Sequence, residues 1–219
     1  MAELHLLFPT PVYETVLQFR PLEVKSMIDF LDSVPWAQDY DIFERPNGET
    51  TQLDKDLLAC PELKVLENKI FKEMDKYVKI LQIDRKKHGL KRINSWGNIN
   101  REGNYTHKHH HTNTMFAGVF YLKTPEKGGD IIFSSMAPTW TTNYWSFSMV
   151  TYDDLNTFQR SFTPQECGLI LFPGHLKHYV VPSKSKENRY SIAFNYNLDG
   201  EFGVGTNYLK MEIQNGYTN

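Results

Sequence analysis

Residues 168–196 read GLILFPGHLKHYVVPSKSKENRYSIAFNY. Three apolar, β-forming runs lie in this stretch: Gly168–Phe172, His178–Val181 and Tyr190–Tyr196. Pro173-Gly174 and the polar segment Ser183 to Asn188 separate them. Short apolar runs bounded by Gly, Pro, Ser and Asn read as strands joined by turns. Working towards the N-terminus, the same pattern gives Phe158–Phe162, Phe147–Tyr152, Asp130–Phe133, Met115–Lys123 and Ile93–Arg101. Turn signals stand between them at Asn156, Pro125 to Gly129 and Gly103-Asn104. About eight short strands with frequent turns predict a mainly β fold, a jelly roll or sandwich, rather than a parallel α/β sheet.

Residues 1–90 carry a different period. Leu7 to Tyr13 reads as extended, and Pro21 opens a helix in which Val24, Met27, Ile28 and Leu31 share one face before Pro35. Pro61 opens a second helix, with Leu63, Leu66, Ile70, Met74, Val78 and Leu81 on one face through to about Ile83. Glu44 to Thr51, which contains Pro46-Asn47-Gly48, reads as a turn or loop. The expected organisation is a single domain over 1–219: an N-terminal helical support in 1–90, a β core in 91–200 and a C-terminal tail in 201–219.

Composition excludes several classes. The chain has 219 residues, with 24 Lys plus Arg against 26 Asp plus Glu. A net charge of −2 argues against nucleic-acid or anionic-membrane binding. No apolar run is long enough for a transmembrane helix. Met1-Ala2-Glu3-Leu4-His5 lacks the features of a secretory signal. Cys60 and Cys167 are distant and outside any CxxC, which suits free thiols in a reducing, cytoplasmic setting.

Six of the 8 histidines lie between positions 107 and 178. On a strand, His107, His109 and His111 point one way and His110 the other. Two imidazoles at i and i+2 can converge on one metal ion, and a third from a distant strand would complete a facial set with open positions. The alternative is a solvated polar loop with chance histidines. His178, placed just after the Pro173-Gly174 turn, is the candidate distant ligand. Eleven residues further on come Arg189 and Ser191, on one face of an otherwise apolar strand. A buried guanidinium at Arg189 requires an anion, and its planar fork fits a carboxylate. The other reading is a surface salt bridge from Arg189 to Glu187.

The order HxH…H…RxS in a strand-rich chain resembles the Fe(II)/2-oxoglutarate-dependent dioxygenases. A tighter resemblance covers nearly the whole chain. Leu7-Phe8-Pro9-Thr10-Pro11-Val12, Trp96 to Tyr105, His109-His110-His111, Ala117 to Leu122 and Leu171-Phe172-Pro173 are similar to a group of such oxygenases from bacteria and cyanophages, a group without a settled substrate. The resemblance implies a double-stranded β-helix (jelly roll) with flanking helices. It implies Fe(II) held by His109 and His178, and the remote carboxylate of 2-oxoglutarate held by Arg189 and Ser191. The carboxylate position of the superfamily's HxD is His111 here, and an HxH pair at this place is usual in the narrower group. His111 is therefore a third ligand, or it faces away and leaves two histidines plus water. Asp130 is a candidate rescuing carboxylate, although the Gly-Gly-acid segment Gly128-Gly129-Asp130 is normally structural in the superfamily. Tyr121 falls where prolyl hydroxylases use a tyrosine on the cosubstrate carboxylate, or it is a core aromatic. Asn98 and Asn100 share a strand face and are candidates for the keto-acid end. Trp140 to Trp145 is unusually aromatic, a lid, a peptide-binding surface or simple packing.

The implied activity is oxidation of an unidentified small-molecule or peptidyl substrate, with release of succinate and carbon dioxide. It would take place in the cytoplasm (a host cytoplasm for a phage protein), and a homodimer is allowed. Two rivals stay open. One is a cupin-type metal enzyme, favoured by Gly103 and the His109-x-His111 spacing but lacking the expected Glu near Met115 and Phe116. The other is a catalytically silent jelly roll that binds a partner.

Overall fold

A computed structural model describes residues 3, 5, 8–40, 46–51, 56–135, 148–153 and 155–213. Two antiparallel sheets make up most of it. The larger is built, in spatial order, from β1 (Tyr13–Val16), β9 (Gly168–Pro173), β6 (Phe116–Lys123), β11 (Arg189–Phe202), β4 (His88–Asn100), β3 (Pro46–Thr51) and β2 (Trp36–Tyr40), with β12 (Leu209–Met211) paired to the far end of β11. The smaller runs β5 (Thr106–His109), β10 (His178–Val180), β7 (Ile131–Ser134) and β8 (Gln159–Phe162). A cluster of buried side chains joins the two: Ala117, Val119, Tyr121, Ile170 and Phe172 from the larger sheet meet Ile131 and Phe133 from the smaller. The Phe133 and Phe172 rings lie 4.9 Å apart across this gap. This is the jelly roll that the strand pattern predicts.

The opposite face of the larger sheet is apolar for a reason visible in the alternation. Tyr190, Ile192, Phe194 and Tyr196 project to one side of β11, and Phe116, Phe120 and Leu122 do so from β6. Two amphipathic helices cover them, α1 (Pro21–Ser33) and α2 (Lys64–Ile80). Met27 and Leu31 from α1, with Leu66, Ile70, Met74 and Tyr77 from α2, complete that core. Pro21 stands in the first turn of α1, where its missing N–H costs nothing, and the Glu23 carboxylate accepts the Arg20 N–H just before it. Among the described residues no helix is long and apolar enough to cross a membrane.

The structure corrects the sequence reading in three places. The helical part is smaller than expected, because residues 1–90 also supply β1, β2 and β3. Positions 46–51, read as a turn or loop, form β3, which pairs with β2 and β4. Its Pro-Asn-Gly start has no β propensity, and ladder bonds from its neighbours make it a strand. Residues 148–152 form no strand; Val150 and Tyr152 are exposed. Phe147 and the segment Trp140 to Trp145 lie outside the described residues.

Candidate active site

Along β4 and β11 the inner face of the larger sheet is largely polar. Paired residues of neighbouring strands point the same way. Arg189, Ser191, Ala193 and Asn195 of β11 therefore share a face with their β4 partners Asn100, Asn98, Trp96 and Asn94. Tyr121, Val119 and Ala117 of β6 continue this face on the other side. Arg189, Ser191 and Asn195 are buried although polar, because the second sheet covers them.

Three histidines meet over this face. His109 on β5 and His178 on β10 are direct register partners, with ring centroids 4.3 Å apart. His111 lies just beyond the end of β5, where its backbone N–H donates to the Gly174 carbonyl at 2.9 Å. Its ring lies 5.3 Å from that of His109 and 5.2 Å from that of His178. One ring nitrogen from each of the three falls within 4.8 Å of the others. A metal bonded at roughly 2.0–2.1 Å would draw them closer by a small ring rotation. The Nδ1 of His109 lies 2.8 Å from the His107 carbonyl, and that of His178 lies 2.9 Å from the Leu176 carbonyl. A carbonyl only accepts, so Nδ1 carries the proton in both rings and Nε2 is left as the ligand atom. His111 Nδ1 lies 2.5 Å from Asn195 Oδ1.

Burial holds all three rings neutral. It lowers the pKa of His109, takes that of His111 to about 4 and that of His178 to about 3. Neutral imidazole is the form that binds a metal. Phe172 packs against His178 with ring centroids 4.7 Å apart, and Trp96 lies 5.8 Å from His111. His107, His110 and His175 are exposed and stand outside the cluster. Asp130 is also outside it; its carboxylate accepts the Ser161 hydroxyl at 2.9 Å.

At the end of the same face lies Arg189, 2% exposed. Its Nη1 donates to the Gly129 carbonyl and its Nη2 to Asn100 Oδ1, each at 2.6 Å. Both acceptors are neutral. Nε has no partner, and among the described residues no ion pair reaches the guanidinium. Glu187 pairs instead with Lys123 at 3.3 Å, which removes the surface-bridge reading. The Tyr121 ring centroid is 5.7 Å from the guanidinium carbon, and burial pushes that phenol up to about 12, against the pull of the cation. Gly129 can place its carbonyl here because φ is +94°, and a Cβ would stand 2.5 Å from the Val181 carbonyl oxygen.

Every candidate residue thus falls on one face or at its mouth. Arg189 and Asn100 form one end, with Ser191, Asn98 and Tyr121 one step further along, and the three histidines over the other part. The sequence reading missed Asn195, Asn94 and Trp96. A signal for them exists: they continue the period-two rows that begin at Arg189-x-Ser191 and Asn98-x-Asn100.

Comparison with known proteins bears on the fold and the family. Residues 94–195 match the family described as "Putative 2OG-Fe(II) oxygenase". Among curated proteins none matches the sequence. Solved structures similar in fold include the following three. A 2OG-Fe(II) oxygenase family oxidoreductase from Burkholderia pseudomallei has 11% identity and a TM-score of 0.61, over 84% of each chain. A Pseudomonas putida prolyl-4-hydroxylase has 13% identity and a TM-score of 0.58, over 86% of this chain and 94% of that one. HygX from Streptomyces hygroscopicus, solved with nickel and 2-oxoglutarate, has 13% identity and a TM-score of 0.54, over 85% and 82%. At such identities the likeness carries the fold, and the family match carries the class. Residues 94–195, the segment that supplies every candidate site residue, are thus similar to the 2OG-Fe(II) oxygenases, the family of 2-oxoglutarate-dependent oxidoreductases whose model they match.

Proposed function

We propose that His109, His111 and His178 hold Fe(II), and that Arg189 anchors 2-oxoglutarate in an enzyme that hydroxylates a small-molecule or peptidyl substrate. The observation that carries this reading is the buried Arg189. A guanidinium removed from water without an anion is costly, and here it keeps Nε and part of its Nη donors for one. The donor set fits the metal as well, since neutral imidazoles offering Nε2 suit iron, nickel and zinc alike.

Bound Fe(II) supplies the oxidising chemistry, in which dioxygen and 2-oxoglutarate give succinate, carbon dioxide and a hydroxylated C–H position. The protein's own groups bind and orient. Arg189 takes the remote carboxylate with its planar fork, Ser191 and Tyr121 add hydroxyl donors beside it, and Asn100 holds the guanidinium in plane. Asn98 is one step nearer the histidines and faces the rest of the cosubstrate. Phe172, Phe133 and Trp96 wall the histidines and exclude water. A cupin-type metal site would supply no carboxylate for Arg189, whose two hydrogen-bond acceptors are both neutral.

The test is anaerobic titration of Fe(II) and 2-oxoglutarate while following the visible charge-transfer band, with calorimetry of 2-oxoglutarate binding to the metal-loaded protein. Arg189→Ala should lose roughly ten- to a hundredfold in cosubstrate affinity while keeping its metal. Equal affinities in wild type and variant would remove the 2-oxoglutarate reading.

A further inference from the structure

We infer that Asn195, itself oriented by Asn94, is the positioning residue that turns His111 into a metal ligand. The inference rests on the metal reading above and deepens it. His109 and His178 have their tautomer set by backbone carbonyls two residues upstream, at 2.8 and 2.9 Å. His111 lies beyond the strand end and has no such carbonyl on its Nδ1; its partner there is a side chain 84 positions away, Asn195 Oδ1 at 2.5 Å. An amide has two faces, and only the oxygen face accepts an Nδ1–H. Asn94 engages the other face. Asn195 Nδ2 donates to Asn94 Oδ1 at 2.8 Å, so Oδ1 of Asn195 is left to face the ring. The relay Asn94–Asn195–His111 therefore stores the proton on Nδ1 and leaves Nε2 as a lone pair beside the other two rings.

Chemistry explains why this position needs such a device. An unconstrained imidazole favours the proton on Nε2, which would block the ligand atom. A carboxylate ligand needs no tautomer control, whereas a histidine in its place does. Asn195 and Asn94 are cross-strand partners on the inner face, so the sheet itself holds the relay. Asn195 is 6% exposed, which keeps water from competing for the ring proton.

The test compares wild type, Asn195→Ala, Asn195→Asp, Asn94→Ala and His109→Ala in two measurements. One is the affinity for Fe(II) alone, measured anaerobically by chelator competition. The other is the ring proton of His111 in the metal-free protein, read from two-bond proton–nitrogen NMR correlations. Asn195→Ala should weaken Fe(II) binding roughly 10–100-fold and move the His111 proton towards Nε2. Asn195→Asp should restore both, since a carboxylate accepts Nδ1–H and Asn94 can turn its amide to donate. This rescue keeps the test informative if the alanine variant folds poorly. Asn94→Ala should act in the same direction with a smaller effect. Wild-type affinity and an unmoved proton in Asn195→Ala, with Fe(II) lost in His109→Ala, would overturn the relay and leave the metal site standing. Equal Fe(II) affinity in His109→Ala and wild type would remove the metal reading itself, and the relay with it.

Discussion

Strand β11 has two faces made by alternate residues of one segment. Tyr190, Ile192, Phe194 and Tyr196 enter the core beneath α1 and α2, while Arg189, Ser191 and Asn195 face the second sheet. In an ordinary antiparallel sheet the polar face meets water. Here it is covered as well: Arg189 is 2% exposed and Ser191 3%. One face is apolar and buried, which stabilises the fold. The other is polar and buried, which costs stability. A buried polar row on a strand is therefore the signature of the site, and the apolar row behind it is the support.

Substitutions on the two faces should separate cleanly. The largest effect is expected behind the sheet. Phe194→Ala removes a fully buried ring that stacks edge-on against Tyr196, at 5.9 Å, and should cost about 3–5 kcal/mol in urea unfolding of the metal-free protein. A cost under about 1 kcal/mol would show that the outer face is not the stabilising one.

The next effect in size belongs to the inner face and depends on ligand. Fe(II) at a hundredfold excess over its Kd should add about 2.7 kcal/mol, or roughly 5–10 °C in Tm. His178→Ala should abolish this gain, and a metal-dependent rise that survives in it would place the metal elsewhere.

The smallest effect sharpens the contrast most. Arg189→Met gives up two hydrogen bonds of about 1 kcal/mol each but removes the cost of burying an unpaired charge, so the stability of the metal-free protein should stay within about 1 kcal/mol of wild type. A destabilisation comparable to Phe194→Ala would mean that Arg189 is structural.

Much of the fold and part of the site were legible along the chain because both are written in local period. Alternation at 189–196 and 93–101 gives strands. The i, i+2 spacing of His109 and His111 places them on one side, and α1 and α2 follow from three- and four-residue steps. β1, β2 and β3 were not legible. They are short, and β3 opens on Pro-Asn-Gly against strand propensity; the ladder bonds of β1 come from β9 and those of β3 from β4, far along the chain, and β2 is a strand only through its pairing with β3.

By itself, then, the sequence determined which residue types were available and which of them share a face, since side-chain direction on a strand is fixed by counting. Only tertiary structure decided which histidines meet. His109 joins His178 through strand pairing, and His111 joins them through Gly174 and Asn195, while the exposed His107, His110 and His175 stay outside. It also decided that Arg189 meets Gly129 and Asn100 rather than Glu187. These contacts join residues 60 or more positions apart, and no local pattern encodes them. They arise from the register of strands brought together by burial of the apolar face behind them.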